Sequence, residues 1–405
     1  MGVLGWLGLE KKADLVRPLS LTNTEGWYGS APDAGEVVTE GSALALSAVW
    51  ACANLVSGTI SSLPFQVFRT REDGFKEAYS AHPLYRIIHD APNYDQTALD
   101  FWDYINLSVE FWGNGYAEIK RGRDGSVIAL RPAKPDLVVV KRTENGPLRY
   151  SWTENGKRVE LDERDVLHIR GPGGDPLGGM STLTFGRQAF SSAMAAERSA
   201  AGMFRNGMRP SGIIRFKEWL SNDRRQVVRD TFGQHYMGAI NAGRPVILEG
   251  ETDVTSLSIT PEDAQMLETR AFSVEEICRF FGVPPVMIGH TSKTTSWPTG
   301  VEQQVLMFQK FTLRRRLKRI EQAVSQKLLS AEDRAAGVSV EFNLEGLLRG
   351  DSAARATFYQ TMTQIGGMTI NEVRRLENLP PVEGGEIPRM QMQNVPIDSA
   401  PTNAS

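Results

Sequence analysis

Two helical stretches, 181–206 and 261–282, enclose a short insertion of different character, and this arrangement constrains the chain most. The first stretch is made largely of small residues (Ser191, Ser192, Ala193, Ala195, Ala196, Ser199, Ala200, Ala201). It stops at Asn206-Gly207, and Pro210 forbids continuation. The second opens with Thr260-Pro261-Glu262-Asp263, which supplies a capping hydroxyl, a proline at the first helical position and two carboxylates against the positive helix end. Its apolar face runs through Leu267, Ala271, Val274, Ile277 and Phe281 before Gly282-Val283-Pro284-Pro285 ends it. Between the two lie a strand at 212–216, a helix opened by Ser221 with Val228 and Phe232 one turn apart, and a strand at 245–248. The layout reads as a stalk with a folded knob at its tip. Taken alone, the small-residue segment fits an alanine-rich core helix within one domain equally well.

Ahead of the stalk, residues 1–40 mix glycine, proline and charge without periodicity and read as a mobile or partner-ordered arm. A helix follows, with Val49, Cys52, Val56, Ile60 and Leu63 at intervals of three and four. A second places Leu99, Trp102, Ile105, Val109 and Trp112 on one face and stops at Gly113-Asn114-Gly115. Short strands are predicted at 116–121, 127–130, 137–140, 149–152 and 166–170, so 41–180 reads as one α+β domain. Beyond the stalk comes a polar loop at 289–300, rich in Ser and Thr with one aromatic, Trp297. A long helix then carries Leu306, Leu313, Leu317, Ile320, Val324 and Leu328 on one face, with Arg314, Arg315, Lys318 and Arg319 opposite. An alternating strand (Val338, Val340, Phe342) and two helices close the ordered part. The first holds Ala354, Phe358, Met362 and Ile365, and the second opens with a capping box from Thr369 to Glu372. From about Glu386 the chain is tail-like.

At 405 residues the chain can bury a large core, and its length suggests two or three domains. The net charge is −3, whereas a protein holding duplex DNA through many phosphates carries a clear basic excess. Any DNA contact is therefore expected to be local and loose. Cys52 and Cys278 form no CxxC pair and read as reduced, buried thiols, with no disulfide framework and no zinc. There is no secretion signal, and the most apolar stretch, 43–60, is interrupted by Ser47, Asn54 and Ser57, so no membrane span is expected.

Catalytic patterns are missing too. His82, His89, His168, His235 and His290 show no metal-binding spacing, and His168, in an apolar strand, reads as a satisfied core residue. Asp162-Glu163-Asp165 shares a turn with Arg164 and reads as solvated surface. The glycine-rich stretch 171–179 sits between a strand and a helix, where phosphate loops occur. It lacks a Lys-Ser/Thr pair and GxGxxG spacing, and two prolines remove N–H donors, so it reads as a hinge. No catalytic, cofactor or metal site is expected.

Four groups of residues taken in order are more specific than any of these. They are Phe101-Trp102 with Gly113-Asn114-Gly115-Tyr116-Ala117, Gly125 and Leu130-Arg131-Pro132; then Val166-Leu167-His168-Ile169 with Gly178-Gly179-Met180-Ser181. The third is Phe281-Gly282-Val283-Pro284-Pro285-Val286-Met287-Ile288-Gly289, followed by Trp297-Pro298-Thr299-Gly300-Val301-Glu302-Gln303-Gln304. The fourth is Gly367-Met368-Thr369-Ile370-Asn371-Glu372-Val373-Arg374 with Leu379-Pro380-Pro381-Val382 and Gly384-Gly385. Over roughly 40–385 this ordered set resembles the portal proteins of long-tailed phages and related prophages.

The resemblance implies an α+β portal fold with an α+β wing, a two-helix stem, a small α/β clip, a tunnel loop with a long helix, and a helical crown. The parts would fall as N-terminal arm 1–40, wing 41–180, stem 181–207 and 261–283, clip 208–260, tunnel loop region 284–300, tunnel helix and wing return 301–348, crown 349–385 and flexible tail 386–405. It implies a dodecameric ring at one capsid vertex that passes double-stranded DNA. Expected partners are the terminase large subunit, a head-completion adaptor, and the major capsid and scaffolding proteins, in a virion component made in the host cytoplasm. Lys293, Thr294, Thr295, Ser296, Trp297 and Thr299 would line the constriction. Arg314, Arg315, Lys318 and Arg319 would form either a solvated or subunit-paired face, or a DNA-facing one whose field sums around the ring. Where the family pattern often continues after Thr312-Leu313 with Arg, Pro and an aromatic, this chain has Arg314, Arg315 and Arg316, so an expected helix kink loses its proline. Two other classes stand beside this reading: another ring-forming head or neck protein, and a nucleotide-binding enzyme using 171–179.

Overall fold

The computed structural model describes residues 15–18, 36–142, 146–175, 177–205, 213–215, 221–223, 226, 253–255, 261–291, 298–344, 352–377 and 379–389. The chain forms two units, Met1–Phe342 and Asn343–Ser405. In chain order the strands are β1 (Leu15–Pro18), β2 (Phe65–Thr70), β3 (Lys76–Ala78), β4 (Asn114–Arg121), β5 (Val127–Ala133), β6 (Val139–Arg142), β7 (Leu148–Glu154), β8 (Lys157–Asp162), β9 (Val166–Arg170), β10 (Ile213–Arg215), β11 (Asp253–Thr255) and β12 (Val338–Phe342). The main helices are α1 (Ser47–Ser61), α2 (Ala98–Trp112), α3 (Arg187–Arg205), α4 (Pro261–Phe281), α5 (Pro298–Met307), α6 (Arg314–Leu328), α7 (Ser352–Gln364) and α8 (Ile370–Leu376). The mixture is the α+β class that the sequence indicates.

Helices α1 and α2 pack along each other; α1 buries Val49, Cys52, Val56 and Ile60, and α2 buries Trp102, Ile105 and Val109. Leu99 departs from the predicted stripe: it is 52% exposed, and Phe101 and Trp102 fill the inward positions of that turn. A capping box between Thr97 and Asp100 starts α2, and Gly113 at φ +73 ends it. Beneath this layer Phe65 of β2 stacks on Phe342 of β12 at 4.0 Å and meets the edge of Trp102 at 5.2 Å. Here β2 is the centre of a sheet ordered β12-β2-β3, which pairs an early strand with one from the far end of the unit. The strand spacing did not indicate β2, β3 or β8.

The remaining strands form two antiparallel sheets, β5-β4-β9 and β1-β6-β7-β8. Tyr116, Val140, Leu148, Tyr150, Trp152 and Val166 are buried together in a second core. Strand β1 lies within the segment read as an arm and pairs with β6 from Leu15 opposite Arg142 to Pro18 opposite Val139.

The predicted helix from 181 onward is interrupted. A turn at Thr182–Phe185, capped by Ser181, ends at Gly186 before α3 begins. Helices α3 and α4 run antiparallel: Phe190 lies against Phe280 and Phe281, while Arg270 pairs with Glu197 at 3.0 Å. Ser191, Ala193 and Ala200 are buried, as small residues permit where helices approach closely. At the insertion β10 pairs with β11, and the predicted strand at 245–248 lies outside the described residues.

After α5 the chain passes through a π-helical turn, Phe308–Leu313, directly into α6. The helix is thus irregular just before the arginine run without any proline. One extra residue per turn rotates the apolar face. Leu313, Leu317, Ile320, Val324 and Leu328 are buried as predicted, but Leu306, assigned to the same face, is 48% exposed and Phe308 is buried instead. In the second unit the predicted capping box opens α8, with Thr369 and Glu372 bonding each other's backbone N–H groups. Among the described residues, no helix is long and apolar enough to cross a membrane.

Candidate functional site

The elements converge on the root of the α3/α4 pair, where the basic helix α6 begins. Glu110 of α2 is buried and accepts hydrogen bonds from Arg316 Nε at 2.7 Å, Arg316 Nη2 at 3.3 Å and the Thr182 hydroxyl at 2.6 Å. The same guanidinium donates to the carbonyl oxygens of Phe281 and Thr312, at 3.2 and 3.3 Å. One ion pair therefore joins α2, the start of the α3 segment, the end of α4 and α6. Beside it Gly282 adopts φ +70, and its carbonyl accepts from Thr312 Oγ1 at 2.6 Å. A Cβ there would lie 2.8 Å from that hydroxyl, so glycine is required both by conformation and by close approach.

The four predicted basic residues do not behave alike. Arg314 and Arg315 are exposed, and among the described residues no ion pair engages them. Lys318 is held at 2.6 Å by Glu321, which is itself buried and accepts the Phe342 backbone N–H at 3.0 Å. Arg319 is half-buried, and its pKa is lowered first by burial and then by the neighbouring charges of Arg315 and Arg316. Arg316, the basic residue most engaged in the fold, was not among the four, because helical phase alone does not show which arginine finds a buried carboxylate. Of the predicted constriction residues, Lys293, Thr294, Thr295, Ser296 and Trp297 lie outside the described residues. Thr299 lies in the first turn of α5.

The glycine-rich stretch, read from sequence as a hinge, is held by several hydrogen bonds within the chain. Gly171 N–H donates to the Gly113 carbonyl at 2.6 Å, Gly179 N–H to Asn114 Oδ1 at 2.8 Å, and Met180 N–H to the Pro172 carbonyl at 3.1 Å. Asp175 accepts from the N–H groups of Leu177 and Gly178. With these donors used inside the chain, the loop is tied against the start of β4.

His168 has the satisfied surroundings expected of it. Its Nε2 donates to Asn114 Oδ1 at 2.8 Å, and its Nδ1 accepts from the Tyr150 hydroxyl at 3.1 Å. Burial above all, then Arg170 and Lys327, holds its pKa well below the usual histidine range. The acidic turn is less bland than its sequence suggested. Glu163 binds Lys327 of α6 at 3.0 Å and accepts the Leu148 N–H, while Asp165 faces Arg121 and Arg164. Among the described residues no group of His, Cys, Asp and Glu is arranged to hold a metal ion.

Residues 47–378 match the family model described as phage portal protein. The chain belongs to the phage portal protein family. The portal protein of Enterobacteria phage HK97 is 35% identical over 362 residues, covering 89% of this chain and 85% of that protein. The probable portal protein of Streptomyces phage phiC31 is 31% identical, covering 88% and 79%. Solved structures share the fold. A chain from the virion of a native gene transfer agent particle gives a TM-score of 0.59 at 23% identity, covering 90% of this chain and 100% of that one. An HK97-family phage portal protein from Corynebacterium diphtheriae gives 0.55 at 20% identity, covering 78% and 99%. Within the portal family, then, two of the stretches that carried the resemblance meet in space here. Asn114 of the first and Gly179 of the second bond each other.

Proposed function

We propose that copies of this chain close into a twelve-membered ring at one capsid vertex, the channel through which double-stranded DNA is packaged and ejected. The carrying observation is the four-way junction at Glu110 and Arg316, which fixes a pair of long antiparallel helices onto a mixed α+β body. Such a rigid root suits a subunit that must keep its shape while DNA moves past it. Membership of the portal family supports the reading, as does likeness to a chain in the neck of a native gene transfer agent particle computed with C12 symmetry, at TM-score 0.56.

On this reading 41–180 is the wing, α3 and α4 are the stem, 208–260 is the clip, α5 and α6 form the tunnel helix, and 349–385 is the crown. The clip would meet the terminase large subunit during filling and a head-completion adaptor afterwards, with capsid and scaffolding proteins around the wing. Lys293, Thr294, Thr295, Ser296, Trp297 and Thr299 line the constriction. A channel must guide a polyanion without holding it, and uncharged Ser and Thr with a net charge of −3 meet that requirement. The chain acts as a structural part and not as an enzyme.

Electron microscopy of the purified chain tests the proposal. Rings with twelvefold symmetry and an axial hole are expected; particles without a hole, or only monomers at micromolar concentration, would overturn it.

A further inference from the structure

The chain has only two cysteines, Cys52 in α1 and Cys278 in α4, and they meet. Both are buried, and their sulfurs lie 3.8 Å apart although the residues are separated by 226 positions. We propose that this pair is a modification site: a two-electron thiol oxidant converts it into an intrachain disulfide that ties α4 to α1. The two are free and buried in the structure, as the sequence indicated; what the sequence did not indicate is that they meet.

The geometry needs little change. A disulfide holds its sulfurs at about 2.05 Å, so closure requires the two side chains to share a movement of under about 2 Å. The helices that carry them already pack directly. Two thiols without further ligands do not make a zinc site, which takes four.

The two thiols are about equally buried, at 1% for Cys278 and 0% for Cys52, and differ in that Cys278 lines a pocket. An open pocket of about 410 Å³ is lined by Cys278 together with Gly282, Pro284, Met307 and Phe311. Cys52 is 0% exposed and lies behind it. The Cys52 S–H donates toward Cys278 Sγ, and that bond lowers the Cys278 thiol below the ordinary range while raising Cys52. Because Cys278 is the thiol that lines the pocket, it is the one that meets a reagent first. With a small disulfide such as oxidised glutathione, Cys278 attacks one sulfur, the reagent's S–S bond breaks, and one thiolate leaves. Cys52 then loses its proton and attacks the Cys278 sulfur, expelling the second thiol. Two protein thiols are oxidised and one small disulfide is reduced to two thiols. In a reducing compartment the pair stays open, and in an oxidising medium it closes.

The test uses the full chain in native buffer with oxidised glutathione, followed by digestion without reduction and mass spectrometry. A linked peptide pair containing Cys52 and Cys278 is expected, from a chain about 2 Da lighter, and dithiothreitol should reverse it. Cys52→Ser should stop at a glutathione adduct on Cys278, and Cys278→Ser should form neither link nor adduct at a comparable rate. Circular dichroism confirms that each variant is folded. Wild-type chains that stay folded and end as single adducts, or as links between chains, would sink the proposal. A Cys278→Ser chain that reacts as fast at Cys52 would reverse the order of attack and overturn the pocket route.

Discussion

Arg316 shows how much can rest on one side chain. It is surrounded by four basic neighbours, Arg314, Arg315, Lys318 and Arg319, yet it alone among the described basic residues reaches Glu110 and the Phe281 carbonyl that ends α4. Removing one partner of a buried ion pair leaves the other charge without compensation, at about 3–5 kcal/mol. Urea unfolding of Arg316→Ala should show a loss of that order, whereas exposed Arg314→Ala should stay within about 0.5 kcal/mol. Arg316→Lys should not restore stability, because one ammonium cannot span the carboxylate and two carbonyls. Equal midpoints for Arg316→Ala and Arg314→Ala would contradict the junction. His168 makes a second prediction. Its pKa is depressed in the fold, so below about 6.5 the unfolded chain binds a proton that the folded chain does not. The associated stability is present above that pH and is lost as pH falls toward the folded value, by at most about 1.4 kcal/mol per unit. Thermal midpoints measured between pH 7 and 5 should therefore fall less steeply in His168→Gln than in the wild type.

Between elements, backbone chemistry decides the joints. Gly113 closes α2 and would carry a Cβ only 2.4 Å from the Met180 carbonyl carbon, so the glycine-rich stretch and the α2 terminus fit one another. Gly282 and Gly289 offer a controlled comparison. Both have positive φ, at +70 and +81, but an added Cβ meets Thr312 at the first and open space at the second. An alanine in the left-handed region costs roughly 1–2 kcal/mol wherever it occurs. Gly282→Ala should therefore lower the thermal midpoint further than Gly289→Ala, the excess being the displaced Thr312 bond. Equal losses would mean that the α4–α6 joint tolerates the methyl. The same joint explains why the sequence motif around 281–289 is glycine- and proline-rich: it ends a long helix where the Thr312 side chain is close. Periodicity located α6 correctly, but the π turn before it shifted the phase and moved Leu306 outward.

At the scale of the whole chain, the charge pattern separates a conduit from a binder. Arg316 and Lys318 are taken up by Glu110 and Glu321, which leaves Arg314 and Arg315 as the outward charges of this run. The two exposed arginines of this run, in a chain of net charge −3, make a weak, salt-sensitive local field. Duplex DNA should bind the purified chain no tighter than about 10⁻⁶–10⁻⁴ M at physiological salt, with no sequence preference. A nanomolar Kd by fluorescence anisotropy would argue for a DNA-holding role. Replacing Trp297 together with Thr294 and Thr295 should impair packaging or genome retention while rings still assemble. Normal packaging by such variants would remove the loop from the constriction.

Most helix positions, the Thr369 cap, the stops at Gly113 and Gly282, most strands of β4 to β9, and the family itself were legible in the sequence. These depend on residue spacing and on glycine, proline and hydroxyl chemistry within a few positions. Even so, the physical work of the motifs was hidden: Asn371 in the second unit, for example, grips the Val382 N–H and carbonyl at 2.8 and 2.9 Å, which no local rule indicates. The tertiary structure alone decided that β2 pairs with β12, that the glycine-rich loop is tied against the start of β4, that Arg316 is the internal arginine, and that Cys52 faces Cys278. Each of these joins residues far apart in the chain. Which distant groups meet is set by how whole elements pack, and periodicity along the chain carries no record of that.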